Sequence, residues 1–272
     1  MPEIPEIETV RYHLETKTKG KIIERVTVNR ERSLNMPVRD FADLVTGQQI
    51  MNIRRRAKQI IIGLANEHSL VAHFMLEGYV RMFYYGEELI GRPSVLFSLN
   101  SGEELAFFKL NLGYIHLVPT TRLDAIPELA GLGPEPLDEG FTLDKFFELL
   151  AGRKGMIKPL LMDQEFIAGI GNVYSNETLF GSRIMPVRKV TQLADAERIK
   201  LYHCMRDILT KATQLGGVYE EKFASDDMLT GGFEQYLQVA YRTGQPCYVC
   251  GHLIETRKVA GRNAFYCPVC QK

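Results

Sequence analysis

No stretch of this 272-residue chain is long and apolar enough to cross a bilayer. The longest unbroken apolar runs, such as Ile60 to Ala65, fall far short of the roughly 20 residues a spanning helix needs. The start has neither a basic segment nor an apolar one behind it, so no secretory signal is visible and a cytoplasmic location is expected. Net charge is missing as well, because 33 Lys and Arg offset 33 Asp and Glu. That speaks against a non-specific polyanion binder, whose affinity rests on cationic contacts to phosphate. Charge can still be segregated, and basic runs stand at Arg54 to Lys58, Arg183 to Lys189 and Thr256 to Lys258. No repeat period and no low-complexity segment is present.

What is present is ordinary globular composition, 45% hydrophobic and 24% charged, at a length that allows two domains. From about Lys21 to Val118 the chain is rich in Ile, Val, Phe and Tyr, partly alternating and broken by Asn, Gly and Ser turns. Short antiparallel strands at this spacing predict a sandwich or barrel. A helix is expected before them: Pro5 suits a first turn, Ile7, Val10 and Leu14 share a face, and Gly20 can close it. From about Leu137 to Leu215 the period becomes helical, with Thr142 as a plausible cap and a longer amphipathic segment from about Asp195. Gly131 to Gly140 reads as the linker between the halves.

Cys247, Cys250, Cys267 and Cys270 form two C-x-x-C pairs separated by sixteen residues, a zinc-ribbon spacing. Four thiolates complete a closed, structural site, so one Zn2+ is expected, without a catalytic task. Between the pairs, "IETRKV", "AGRN" and "AFYC" read as strand, tight turn and strand, which puts Arg262 at or beside the tip of a metal-braced hairpin. An arginine fixed there suits a phosphate, although many ribbons dock proteins instead.

The run Gly169-Ile170-Gly171 lacks a third glycine and a preceding strand, so it is not a dinucleotide fingerprint. It joins two helical stretches by a tight turn and places Asn172 as cap of the second. Two roles fit Asn172: a plain cap, or part of a helix N-terminus that binds phosphate.

Together "MPEIPEIE" at Met1 to Glu8, "RRRAK" ending in Lys58, "IKPLLMDQEFIAGIGNVYSNE" at Ile157 to Glu177, "GGFEQYLQVAYRTGQPC" at Gly231 to Cys247 and Gly261-Arg262 inside the ribbon resemble the formamidopyrimidine-DNA glycosylase/endonuclease VIII family, over nearly the whole chain. The start is closer to the formamidopyrimidine branch. The resemblance implies a multi-domain α+β fold: an N-terminal β-sandwich with a leading helix (1–133), a helical helix-two-turn-helix domain (134–243) and a zinc ribbon (244–272). It implies a base-excision glycosylase and abasic-site lyase, nucleoid-associated and monomeric, acting on damaged double-stranded DNA without a membrane or small-molecule cofactor.

It also implies the site. Removal of Met1 leaves the Pro2 secondary amine as nucleophile, since an α-amino group has a pKa of about 7.7–8.0 and is partly neutral at physiological pH. Glu3 corresponds to the general acid/base, Glu6 to a supporting acid, and Lys58 to the lysine that assists sugar opening. His73, Asn172 and Arg262 fall at DNA-binding positions, the last two on phosphates flanking a flipped nucleotide.

The sequence departs from the family where the gap left by that nucleotide is filled. Family members use a methionine, an arginine and a phenylalanine there, and the arginine reads the orphan cytosine. In this chain Leu76, Leu110 and Leu112 stand at those places, with Met75 where the pattern has a glycine. Leucine can only pack, so the cytosine preference loses its arginine. The lesion-capping stretch also carries Glu220, Glu221, Asp226 and Asp227, which do not obviously suit a polyanion. Three readings follow: other oxidised bases, abasic or single-stranded sites, or a catalytically silent, damage-binding relative.

Overall fold

Helix α1 (Ile4–Thr18) begins where Pro5 pre-sets the first turn, and it buries Ile7, Val10 and Leu14 as their spacing predicts. Glu6, Thr9 and His13 are buried too, so the helix is enclosed on more than its apolar face. The computed structural model describes residues 1–272. The chain forms two compact units, Met1–Ala130 with Leu215–Gly232, and Gly131–Gln214 with Phe233–Lys272.

In the first unit α1 is followed by β1 (Ile23–Val28), α2 (Val38–Val45), β2 (Ile50–Arg56), β3 (Gln59–Leu64), β4 (His68–His73), β5 (Tyr79–Phe83), β6 (Val95–Leu99), β7 (Glu104–Phe108), β8 (Tyr114–Pro119) and the single turn α3 (Pro127–Ala130). The strands form two four-stranded antiparallel sheets, ordered β1-β6-β7-β5 and β2-β3-β4-β8. Ile60, Ile62 and Leu70 from one sheet and Val95, Phe97 and Phe107 from the other meet in one core with Ile7, Val10 and Leu14. Each such fully buried apolar side chain is worth about 1.5–3 kcal/mol, which makes this core the main cohesion of the β-sandwich. Helix α2 lies inside the stretch read as strands; it buries Phe41 and Val45, and an eight-residue helix leaves too few periods to separate from a strand.

Residues 215–232, expected in the helical segment 134–243, pack with this first unit. Phe223 and Ala224 enter its core, and the Met82 N–H donates to the Phe223 carbonyl at 2.7 Å. Asp227 organises the turn: its oxygens accept from the backbone N–H groups of Phe223 (2.9 Å), Leu229 (2.9 Å) and Thr230 (3.1 Å), and lie 3.1 Å from His13 Nε2. The acids of this stretch are therefore not a bare negative surface. Asp227 is buried, Asp226 pairs with Lys17 at 2.7 Å, and Glu221 lies 3.8 Å from Lys109.

Burial alone would raise the Asp227 carboxyl, but hydrogen bonds from His13, Thr230 and the backbone outweigh it and hold it well below the usual carboxylate range. For a depressed carboxylate, the stability it contributes is present above its ordinary value of 3.8 and is lost as pH falls below that. Asp227→Ala leaves buried N–H donors unpaired, at about 1–3 kcal/mol each, so thermal denaturation at neutral pH should show a loss of about 3 kcal/mol. A melting temperature equal to wild type would remove Asp227 as the organiser of this turn.

The second unit holds α4 (Leu143–Leu150), α5 (Ile157–Leu161), α6 (Asn172–Ser182), α7 (Asp195–Gln214), β9 (Glu255–Val259) and β10 (Arg262–Tyr266). Thr142 caps α4 as expected, accepting from the Lys145 N–H at 3.2 Å. Gln164 staples the path between α5 and α6: its amide donates to the Met162 and Ile170 carbonyls, and its oxygen accepts from Gly169. Gly169 sits at φ +95, a conformation L side chains rarely adopt, which is why the turn needs glycine. The expected linker is tied to this unit, with Gly133 N–H on the Gln164 carbonyl and Ala168 N–H on that of Pro134. Buried Glu177 accepts the N–H groups of Gln238, Val239 and Ala240 at 2.8–2.9 Å, fixing the chain that leads to the cysteines.

Candidate active site and nucleic-acid interface

Pro2 is buried at the foot of α1, and Glu3 and Glu6 are each only 2% exposed. Glu6 Oε2 accepts the Glu3 N–H at 2.8 Å, while Oε1 accepts the Val218 N–H at 2.9 Å. Glu6 therefore ties the chain start to the 215–232 segment while its charge acts on the chain-start amine. Gly217 must be glycine to allow it, since a Cβ there would lie 2.2 Å from Glu6 Oε1 and its φ is +67. With Met1 in place the Pro2 nitrogen is an amide. The Met1 amine one residue upstream reports the electrostatics: burial lowers it from 8.0, Glu3 and Glu6 pull it up, and Lys58 pushes it down.

Lys58 is buried on the two-residue turn between β2 and β3, where Ala57 takes φ +50. His73, at the end of β4, pairs across the sheet with Gln59, beside Lys58. Its Nδ1 accepts the Met75 N–H at 3.1 Å, which leaves Nε2–H as the donor of the neutral ring. Burial first, and the Lys58 charge second, push this imidazole down to about 4. His73 is thus a neutral donor at physiological pH. Because an unfolded histidine takes its proton near 6.5, the folded state loses stability as pH drops from 6.5 towards 4. An NMR titration should give a midpoint near 4 for His73, rising towards 6.5 in Lys58→Met. A wild-type midpoint of 6.5 would contradict the burial and the charge together.

The next residues along the chain form a second feature. Phe74, Leu76, Glu77, Lys109, Asn111 and Leu112 line a cleft of about 170 Å3. Leu76 is 52% exposed and Leu112 63%, so both present apolar surface at this cleft. Leu110 does not join them. It is 1% exposed, with its Cδ2 where Cβ atoms on Gly78 and Gly113 would come within 3.1 and 2.9 Å. It is a core anchor that closes the two loops on each other. Met75 and Lys109 hold φ values of +54 and +49, the strained conformation for which the family pattern uses glycine at Met75.

In the second unit Asn172 is the first residue of α6, and Gly171 rather than Asn172 occupies the cap. The Asn172 side chain is engaged by Lys158, fully buried, whose Nζ donates to Asn172 Oδ1 at 2.8 Å and to Ser175 Oγ at 3.0 Å. With its oxygen engaged by Lys158, the amide N–H groups of Asn172 are the part suited to an anion. Asn176, one turn on, donates to the Asn172 carbonyl at 2.7 Å and accepts the Phe265 N–H at 3.2 Å, so the β9–β10 hairpin docks on α6. Arg262 opens β10, exposed, just after the turn Ala260-Gly261 at φ +46 and +78. Pro2, Glu3, Glu6, Lys58 and His73 thus share the first unit, and Asn172 and Arg262 the second.

The four cysteine sulfurs lie within 4.8 Å of one another, with Cys250–Cys267 at 3.5 Å and Cys247–Cys270 at 3.9 Å. A tetrahedron of thiolates about 2.3 Å from zinc has edges of about 3.8 Å, so the group fits one structural zinc and none of the pairs is a disulfide.

Sequence reasoning did not single out Lys158, nor did it give Asp227 a structural role. Lys158 carried one usable signal, a lone cation in the apolar run "IKPLLM" ahead of the glycine turn.

Three family models match in order: the formamidopyrimidine-DNA glycosylase N-terminal domain over residues 1–110, its H2TH domain over 132–223, and the zinc finger found in FPG and IleRS over 244–272. Among similar proteins, formamidopyrimidine-DNA glycosylases of Pelotomaculum thermopropionicum and Brevibacillus brevis are each 38% identical over 275 residues, covering 100% of this chain and 99% of theirs. Solved structures of Lactococcus lactis Fpg are 31% identical. The complex with an abasic site containing DNA covers 99% of both chains at TM-score 0.92. The wild-type complex with an N7-Benzyl-Fapy-dG containing DNA covers 100% of both at TM-score 0.91. With its N-terminal half, its helical turn and its ribbon all matched, the chain belongs to the formamidopyrimidine-DNA glycosylase family.

Proposed function

We propose that this protein removes oxidised bases from duplex DNA and then cuts the strand at the resulting abasic site, with Pro2 as nucleophile. The observation that carries the reading is the buried chain start: an amine there lies among Glu3, Glu6 and Lys58, and burial lowers its proton affinity. Once Met1 is removed, the Pro2 nitrogen is a secondary amine in that setting, with a neutral, nucleophilic fraction at physiological pH. Its lone pair attacks C1′ of the extruded nucleotide. The glycosidic C–N bond breaks, and its electron pair leaves with the base, which gains a proton.

Lys58, a buried cation, assists opening of the sugar ring, and the product is an iminium between Pro2 and C1′. The iminium draws electrons from C2′, so loss of a C2′ proton lets the C3′–O bond break and its phosphate leave, and loss of the C4′ proton then lets the C5′–O bond break with the second phosphate as leaving group. Glu3 carries protons beside the sugar. The electron sink is the proline itself, so the reaction needs no small-molecule cofactor. His73 contacts the DNA, Asn172 and Arg262 bind the phosphates flanking the extruded nucleotide, and the zinc serves only to hold the hairpin that presents Arg262.

Borohydride added during reaction with an abasic-site duplex should reduce the iminium and leave protein joined to DNA. Tight binding with no joined product would favour the catalytically silent, damage-binding relative.

A further inference from the structure

We propose that Asn111 reads the base left opposite the extruded nucleotide, with Leu76 and Leu112 as wedges and Leu110 as their buried anchor. This rests on the reading above, in which a nucleotide leaves the duplex. Extrusion opens a gap in the stack and strands the partner base with its pairing edge unsatisfied. Apolar side chains commonly fill such gaps, and an unpaired polar edge in a closed site costs affinity unless it is met. The 170 Å3 cleft supplies both needs and is continuous along the chain with the site, since Phe74 follows His73 directly.

Of the residues lining it, Leu76 and Leu112 project apolar surface into solvent. Glu77 and Lys109 each offer hydrogen bonding of one kind only, and Lys109 lies 3.8 Å from Glu221. Asn111 alone offers a donor and an acceptor side by side, and its exposed carboxamide has no partner within the protein.

The turn that carries it is fixed for the task. Arg30 donates to the Leu110 carbonyl at 3.0 Å and to the Asn111 carbonyl at 2.9 Å. Ser94 Oγ accepts the Leu110 N–H at 3.1 Å, and the Lys109 carbonyl accepts the Asn111 N–H at 2.7 Å. With Leu110 locked between Gly78 and Gly113, the backbone is held from both sides and only the Asn111 side chain is left to adapt.

The chemistry of a carboxamide then sets the specificity. Every base carries a donor next to an acceptor on its pairing edge: N6–H and N1 in adenine, N4–H and N3 in cytosine, N1–H and O6 in guanine, N3–H and O4 in thymine. An amide that can flip meets all four. This chain is therefore built to tolerate any opposite base. A donor-only group favours cytosine, whose N3 and O2 are adjacent acceptors, and an acceptor-only group favours guanine, whose N1–H and N2–H are adjacent donors.

The test is single-turnover cutting of four duplexes, each with one abasic site opposite A, C, G or T. Wild type should cut all four at rates within about fivefold of each other. Asn111→Arg should favour C over G by about tenfold, and Asn111→Asp should favour G over C by about tenfold, the usual size of a paired hydrogen-bond preference. Because each ratio is taken within one variant, a general loss of activity cancels. Cutting by both variants with the four rates ordered as in wild type would overturn the role of Asn111. A wild-type protein that cuts none of the four would defeat the excision-and-cutting reading itself, and the proposal with it.

Discussion

A chain that keeps a residue in front of Pro2 should lose strand cutting by at least about a thousandfold while still binding abasic-site DNA. The expectation follows from where the nitrogen sits. As an amide, the Pro2 nitrogen has no available lone pair, and a new amine one residue upstream is displaced from the point where Glu3 and Lys58 act. The Met1 amine already feels Glu3, Glu6 and Lys58, so the charge around the site is largely unchanged by the extra residue. The loss would therefore report the nucleophile and not the field around it. An extended chain prepared with an uncleaved leader, assayed beside the processed form for cutting and for binding, separates the two. Equal cutting by both forms would move the nucleophile elsewhere, with Lys58 the nearest alternative.

The second large effect concerns zinc. Two-stranded hairpins are marginal alone, and β9 and β10 have only each other as strand partners. Thiolate sites of this kind contribute about 10–16 kcal/mol of apparent binding free energy to small zinc domains. Removing the metal with a chelator, or replacing Cys267 with Ser, should unfold the ribbon and leave Arg262 on a loose chain. Docking of the ribbon on its unit rests on a few hydrogen bonds, from Asn176 to β10 and from Gln271 to the Ile184 carbonyl among them, and these do not replace four ligands. Affinity for an abasic-site duplex should fall by at least about tenfold, because a phosphate contact through arginine is lost with its scaffold. Added Zn2+ should restore it to the chelated protein but not to the Cys267 variant. Full affinity in the metal-free protein would mean that the ribbon does not position Arg262 for DNA.

Much of the frame was legible because its signals are local. Pro5 and the Ile7, Val10, Leu14 spacing define α1, and paired C-x-x-C motifs define the ribbon, without reference to distant residues. What escaped depends on direction and on partners far along the chain. Leu110 and Asn111 are neighbours, and position alone assigns the reading role to the first. Only the packing of Gly78 and Gly113 around Leu110 turns it inward and leaves Asn111 outside.

Asp227 looked unsuited to a polyanion as one of four acids within eight residues. Its His13 and backbone partners make it the centre of a buried turn. Asn172 was legible as a helix-start residue, whereas the lysine fourteen positions upstream that holds its side-chain oxygen was not. Glu6 belonged beside the amine by motif, and Gly217 and Val218, more than two hundred positions later, reveal what holds it.

The central claim is that the covalent bond to DNA forms at the chain start. Digesting the borohydride-trapped complex and locating the sugar by mass spectrometry tests this directly. The account predicts the adduct on the nitrogen of Pro2, in a peptide beginning at that residue. An adduct on the Lys58 side chain, or on any other lysine, would contradict it.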